Sequence, residues 1–299
     1  MQYRDDADIS GAQVISGSSG RGGRIAVGGG GTLIVVLLAL VLGLNPGDLL
    51  GAAQAPATTA SRAPRSSCTR GSDIAKNREC RWNAYLVSVT AYWQQYSAAA
   101  APMVTFSGQV STGCGTASSQ VGPFYCPADS TIYIDTAFTA QLLERLGSRG
   151  GDAAEAYIVA HEYGHHIQNQ TGRLAQVQSA GQGTGPSSPQ VRLELQADCY
   201  AAVWFRHAAD DPNGPIQAVT QDDLDRIIET AGSVGDDRIQ RSQGGQVRPD
   251  LWTHGSAEQR QKWAKTGYQS GDPNRCDTFS PARPAPCHPA RAGPSASIT

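Results

Sequence analysis

Residues 152–170 read DAAEAYIVAHEYGHHIQNQ. Asp152 and Glu155 form a D-x-x-E variant of the capping box, and Gly172 offers a stop, so the segment predicts a helix from Ala153 to about Gln170. Inside it lies His161-Glu162-Tyr163-Gly164-His165, an H-E-x-x-H. Two histidines four apart project from one helical face, which lets both imidazoles reach one Zn2+ ion. Glu162 points about a hundred degrees round the helix, near enough to act as general base on a metal-bound water. His166 is displaced about 140° from His161 and reads as a packing residue.

A hydrolytic zinc site needs a third protein ligand and an open position. The next helix, opened by Ser188-Pro189 and running to about His207, carries Glu194-Leu195-Gln196-Ala197-Asp198. Its two carboxylates share a face at i, i+4. Leu193, Leu195, Tyr200, Val203 and Trp204 make the helix too apolar to be solvated, so the acids are carried into or beside a core and need partners there. Glu194 as ligand with Asp198 hydrogen-bonded to a ligand histidine fits this spacing, and the exchanged roles fit it too. His254, in Thr253-His254-Gly255-Ser256, precedes a helix start and is a candidate donor to the oxyanion of a tetrahedral intermediate, or equally a structural histidine. His207 and His288 fall at a helix end and in a Pro-rich tail and read as incidental.

Around these helices, Trp82, Tyr85, Leu86, Val89, Trp93 and Tyr96 follow helical spacing and read as core. Met103–Phe106 and Phe124–Asp135 are rich in β-branched and aromatic residues and predict short strands, turning at Ala128–Ser130. Thr136–Leu146 returns to helical spacing. Residues 176–188 read as a mobile Gly/Ser/Gln-rich loop. Thr220 caps one further helix, and Ser256 with Gln259 caps another. The fold class is α+β, predominantly helical with a small sheet.

The N-terminal part reads as an address. Residues 1–24 are polar and Gly/Ser-rich, expected as a disordered cytoplasmic leader. Residues 25–44 hold no charge, and about 20 residues suffice for a transmembrane helix. Arg21 and Arg24 upstream place the N-terminus inside and the rest outside the cytoplasmic membrane as a single-pass anchor, with a cleaved signal peptide as the rival reading. Residues 45–67 read as a linker, 68–279 as the folded domain and 280–299 as a Pro-rich tail. Seven cysteines agree with export: 68/80, 114/126 and 276/287 are local pairs, leaving Cys199 as a buried free thiol. Over 299 residues, 24 Lys+Arg stand against 26 Asp+Glu. This balance argues against a nucleic-acid partner, which calls for a basic face.

Gly113-Cys114-Gly115, Gly122 through Asp129 (GPFYCPAD), Tyr133-Ile134-Asp135, His161 through His166, Leu193 through Tyr200 (LELQADCY) and Thr253 through Ser256 occur in order behind an apolar segment. In this the chain resembles the neutral zinc metallopeptidases of bacterial envelopes, over about residues 1–270. Its E-x-x-x-D after H-E-x-x-H also resembles the thermolysin-like gluzincins. The resemblance implies a zincin-like domain with His161, His165 and Glu194 as zinc ligands, Glu162 as base, Asp198 behind a ligand and a peptide or protein substrate. It also implies a sheet edge that aligns the peptide, for which Thr131–Ile134 is the candidate. A binding protein with structural zinc and an amidase acting on cell-wall peptides are the alternatives.

Overall fold

The computed structural model describes residues 1–16, 63–64, 67–181 and 183–280. The strands are β1 (Gln2–Tyr3), β2 (Val14–Ser16), β3 (Ala63–Pro64), β4 (Met103–Phe106), β5 (Gln109–Thr112), β6 (Gly115–Ser118), β7 (Phe124–Cys126), β8 (Thr131–Asp135) and β9 (Ile216–Ala218). The helices are α1 (Asp73–Lys76), α2 (Arg81–Gln94), α3 (Thr136–Arg145), α4 (Asp152–Gln170), α5 (Arg173–Ser179), α6 (Pro189–His207), α7 (Gln221–Ser233), α8 (Asp236–Ser242) and α9 (Ala257–Ser270). The α+β class stands.

Five strands form one sheet in the order β3-β2-β4-β8-β7. β2, β4 and β8 run parallel, while β7 is antiparallel to β8 through Phe124↔Tyr133 and Tyr125↔Ile132. All residues of β8 are buried, since both its edges are paired and both its faces covered. The predicted edge strand Thr131–Ile134 is therefore interior, and β7 is the edge. Trp82, Tyr85, Met103, Ile132, Tyr157, Tyr163 and Trp204 pack α2, α4 and α6 with this sheet into one core. Two glycines set the helix spacing. A Cβ on Gly164 of α4 would sit 3.0 Å from the Ala197 Cα of α6, and one on Gly267 of α9 would sit 2.2 Å from the Cys199 carbonyl oxygen.

Capping chemistry at Ser188, Thr220 and Ser256 is as the sequence predicts, with full capping boxes at the last two. The α4 start differs. Its N-cap is Gly151, and Asp152 and Glu155 bind arginines instead: Asp152 pairs with Arg78, and Glu155 takes Arg81 Nε at 2.5 Å and Nη2 at 2.8 Å. Fork-shaped guanidinium groups outcompete backbone N–H groups for these carboxylates.

Residues 1–16 are not a disordered leader. β1 pairs with β9, β2 lies between β3 and β4 in the main sheet, and Ile9 and Val14 are buried. The Met1 amino group lies 2.6 Å from Asp223 Oδ1, and Tyr3 donates to Asp152 at 2.9 Å. These residues are part of the fold that residues 67–280 build. The segment 25–44 lies outside the described residues, as do Cys287, His288 and most of the expected tail. No described helix is long and apolar enough to cross a membrane.

Disulfides join Cys68–Cys80, Cys114–Cys126 and Cys199–Cys276. The first two are the expected local pairs. Cys199 is not a free thiol: it faces Cys276, which the return of the chain after α9 brings across the back of α6, where Gln196 also donates to the Cys276 carbonyl at 3.0 Å. The expected mobile loop is largely ordered, because α5 extends to Ser179, Thr184 donates to Asp250 O at 2.7 Å and Gly185 N donates to Trp252 O at 2.8 Å.

Candidate metal centre

Helices α4 and α6, held close by Gly164, bring His161, His165 and Glu194 together with one ligand atom of each within 4.8 Å of the others. His161 Nε2 lies 3.2 Å from Glu194 Oε2, and His165 Nε2 lies 3.6 Å from Glu194 Oε1. Both Nε2 atoms thus face one carboxylate, and both Nδ1 atoms face acceptors behind. His161 Nδ1 lies 2.8 Å from Asp198 Oδ1, and His165 Nδ1 lies 2.9 Å from Gln168 Oε1. Gln168 is itself fixed by donating to Leu193 O at 2.8 Å. An acceptor behind each Nδ1 leaves Nε2 as the nitrogen turned to Glu194, the one a metal would use.

The electrostatics call for a cation at this point. Burial pulls the His161 pKa down, but hydrogen bonds to Asp198 and Glu194 outweigh it and raise the value to about 10. His165 is likewise raised against burial by the Glu194 charge. Burial works against the Glu194 charge as well, yet the two histidines hold its pKa well below the usual carboxylate range. Protons on the two histidines thus balance the Glu194 charge; a metal ion would take their place, and N, N, O donor chemistry with an i, i+4 histidine pair fits Zn2+.

Asp198 is fully buried behind this site. It accepts from Arg260 Nε at 2.8 Å and Nη2 at 2.7 Å, and from the Tyr157 hydroxyl. The two carboxylates thus stand in different places: Glu194 faces both Nε2 atoms, and Asp198 lies behind His161. Gln190 donates to Glu194 Oε1 at 3.2 Å. Glu162 lines the same cavity, and burial raises its pKa against the opposing pull of His161 and His165.

His254 lines that cavity too. It is held by Asp236, the first residue of α8. Asp236 Oδ2 accepts from the backbone N–H groups of Thr253, His254 and Gly255 at 2.8, 2.7 and 2.9 Å, and Oδ1 lies 3.2 Å from His254 Nδ1. Burial lowers the His254 pKa, and Asp236 more than restores it. The other two described histidines lie elsewhere. His166 bonds Tyr125 Oη at 3.0 Å and Ala99 O at 2.9 Å in the packing role expected of it, while His207 bonds Gly271 O at 2.9 Å.

Sequence reasoning missed Tyr157, Gln168, Gln190, Asp236 and Arg260. Tyr157 and Gln168 were within reach of it, lying four residues before His161 and three after His165 on the same helix. Asp236 and Arg260 carry no local signal, because only the folded chain brings them to their partners.

A family model described as "Putative neutral zinc metallopeptidase" matches residues 2–279. "Uncharacterized protein Rv2575" of Mycobacterium tuberculosis is 48% identical over 255 residues, covering 82% of this chain and 86% of the relative. "Uncharacterized protein YpfJ" of Escherichia coli K12 is 35% identical over 289 residues, covering 92% of this chain and 96% of that protein. No solved structure matches.

Proposed function

This chain belongs to the neutral zinc metallopeptidase family, and on that premise we propose that it hydrolyses peptide bonds with His161, His165 and Glu194 holding a zinc ion. The observation that carries the reading is the meeting of these three ligands within 4.8 Å in a cavity that Glu162 also lines. A zinc ion bound there supplies a Lewis acid. Glu162 takes the proton of the attacking water and passes it to the leaving amine, a cycle its raised pKa favours. His254, oriented through Nδ1 by Asp236, presents its other nitrogen as a donor to the carbonyl oxygen as charge develops. Asp198, kept ionised by Arg260, holds His161 in register.

The peptide lies along the free edge of β7, whose Phe124 and Tyr125 line the cavity. Three disulfides support an oxidising, extracytoplasmic location, and the apolar segment 25–44 supports association with a membrane.

Zinc content of the purified chain, wild type beside Glu194→Ala and Glu162→Gln, tests the reading together with casein cleavage. One zinc per chain that is lost in Glu194→Ala, and a Glu162→Gln protein that keeps zinc without cleaving, are expected. A folded wild type that takes up no zinc overturns it. A Glu162→Gln protein that still restores the function of a deletion strain makes the zinc structural.

A further inference from the structure

The two ligand histidines are held from behind by different means. A charged carboxylate stands behind His161, whereas a line of neutral groups leads away from His165. His165 Nδ1 lies 2.9 Å from Gln168 Oε1, and Gln168 Nε2 donates to Gln196 Oε1 at 3.2 Å as well as to Leu193 O at 2.8 Å. Gln196 Nε2 in turn donates to the Cys276 carbonyl at 3.0 Å. Both glutamines are buried. A backbone carbonyl can only accept, so Cys276 O fixes which end of Gln196 is the donor. The Gln196 oxygen and Leu193 O then fix Gln168 in the same way. Turning either amide over would set buried donors against each other, and an unsatisfied buried donor is costly. Gln168 Oε1 is thereby an acceptor, and Nε2 is the His165 nitrogen turned to Glu194. The far end of this line is not part of α6. Residues 276–279 form a strap along one face of that helix, marked by Arg192, Gln196 and Cys199 at i, i+4 and i+7. Cys276 is bonded to Cys199, and Arg192 Nη1 donates to Thr278 O at 2.6 Å. Thr278 Oγ1 donates to Arg192 O at 2.6 Å, and the Arg173 guanidinium lies 4.5 Å over the Phe279 ring.

We propose that Gln168 and Gln196 are positioning residues of the metal site, and that the strap pinned by the Cys199–Cys276 disulfide is its outermost support, so that opening this disulfide weakens the hold on zinc. The proposal rests on the metal-site reading above and deepens it. It gives the bond across the back of α6 a task besides stability, exerted on His165 through hydrogen bonds alone. The Cys68–Cys80 bond, which packs with Ile9, Ile74 and Ala84 instead, is the natural control.

Zinc affinity of the full chain, read by competition with a chelator and set beside urea unfolding, separates positioning from stability. Gln168→Leu is expected to weaken zinc about 100-fold and Gln196→Leu about 10-fold, the range that follows loss of a partner behind a ligand. The paired variant Cys199→Ala, Cys276→Ala is expected to weaken zinc by about the same factor as Gln196→Leu. Combining the two is expected to cost hardly more than either alone, since both open one line. The control pair Cys68→Ala, Cys80→Ala is expected to lose stability and keep wild-type zinc affinity. The His165 Nδ1–H resonance of the zinc-loaded, nitrogen-labelled chain reports the line directly: sharp in the wild type, exchanging with water in Gln196→Leu. If the Cys199, Cys276 variant fails to fold, Gln196→Leu decides by its affinity and that resonance. Unchanged zinc affinity in Gln196→Leu, or independent losses that multiply in the combined variant, overturns the proposal. A wild type that binds no zinc overturns it together with the metal reading. Zinc held as expected, with no peptide or casein cleaved, upholds the positioning line and brings down the peptidase reading alone.

Discussion

Asp198 and Asp236 do the same chemical job in two differently built regions. Each is a buried carboxylate that fixes the Nδ1 of a histidine lining the cavity. Asp198 sits in the middle of a long helix, is neutralised by the Arg260 guanidinium, and draws partners from two other helices, α4 and α9. Asp236 opens a short helix and is neutralised by three backbone N–H groups of one loop. Ionic neutralisation across helices ties the metal side to the global core. Backbone neutralisation ties the His254 side only to its own loop. The first is expected to matter for stability and zinc together, the second for turnover with zinc untouched.

The widest separation comes from Asp198→Ala. Removing one partner of a buried pair strands the Arg260 charge, at a cost of about 3–5 kcal/mol, and loosens His161, at about 10–100-fold in zinc affinity. Urea unfolding and competition with a chelator read the two losses, and a variant that keeps both would erase the distinction. The double variant Asp198→Leu, Arg260→Met sharpens it. With no charge left unpaired, stability is expected to return towards wild type while the loss in zinc affinity persists.

On the other side, His254→Ala is expected to lower kcat by about 100-fold or more with zinc content unchanged, as loss of an oxyanion donor does. Asp236→Asn is expected to show a smaller fall in kcat, since His254 remains but is held less firmly. Equal effects of Asp236→Asn on zinc and on turnover would merge the two regions.

The smallest effect is on acid tolerance. Burial works against the charge of Asp198, but Arg260 and His161 hold its pKa below the usual range; for Asp236, His254 and the loop N–H groups do the same. A carboxyl with a depressed folded-state pKa contributes stability that is complete above its unfolded value, near 3.9, and lost as pH falls through the folded value. Asp236→Asn should therefore flatten the fall in urea midpoint below about pH 4, where the wild type keeps falling.

The contrast also explains what could be read from the chain alone. His161, Glu162, His165, Glu194 and Asp198 were legible because helical periodicity turns spacing into geometry. The caps at Ser188, Thr220 and Ser256 were legible because each is a local contest for backbone N–H groups. Asp236 and His254 lie on different segments and follow no period. The same limit hid the Cys199–Cys276 bond, across 77 residues, and the interior place of β8, which its parallel pairing with β4 on the side away from β7 decides. β2 escaped notice because three residues between polar stretches carry no periodicity, and its parallel partner begins at Met103.

The pairing of β2 with β3 has a consequence for engineering. Ser16 and Ala63 are cross-strand neighbours, so the two ends of the segment 17–62 lie side by side in the sheet. A tight hairpin turn in place of residues 17–62 is expected to join the two paired ends, since a shorter connection between adjacent strands costs less closure entropy. The shortened chain is expected to keep its strands, its zinc ligands and its pocket while shedding the apolar segment. It would be the natural protein on which to measure the chemistry in solution.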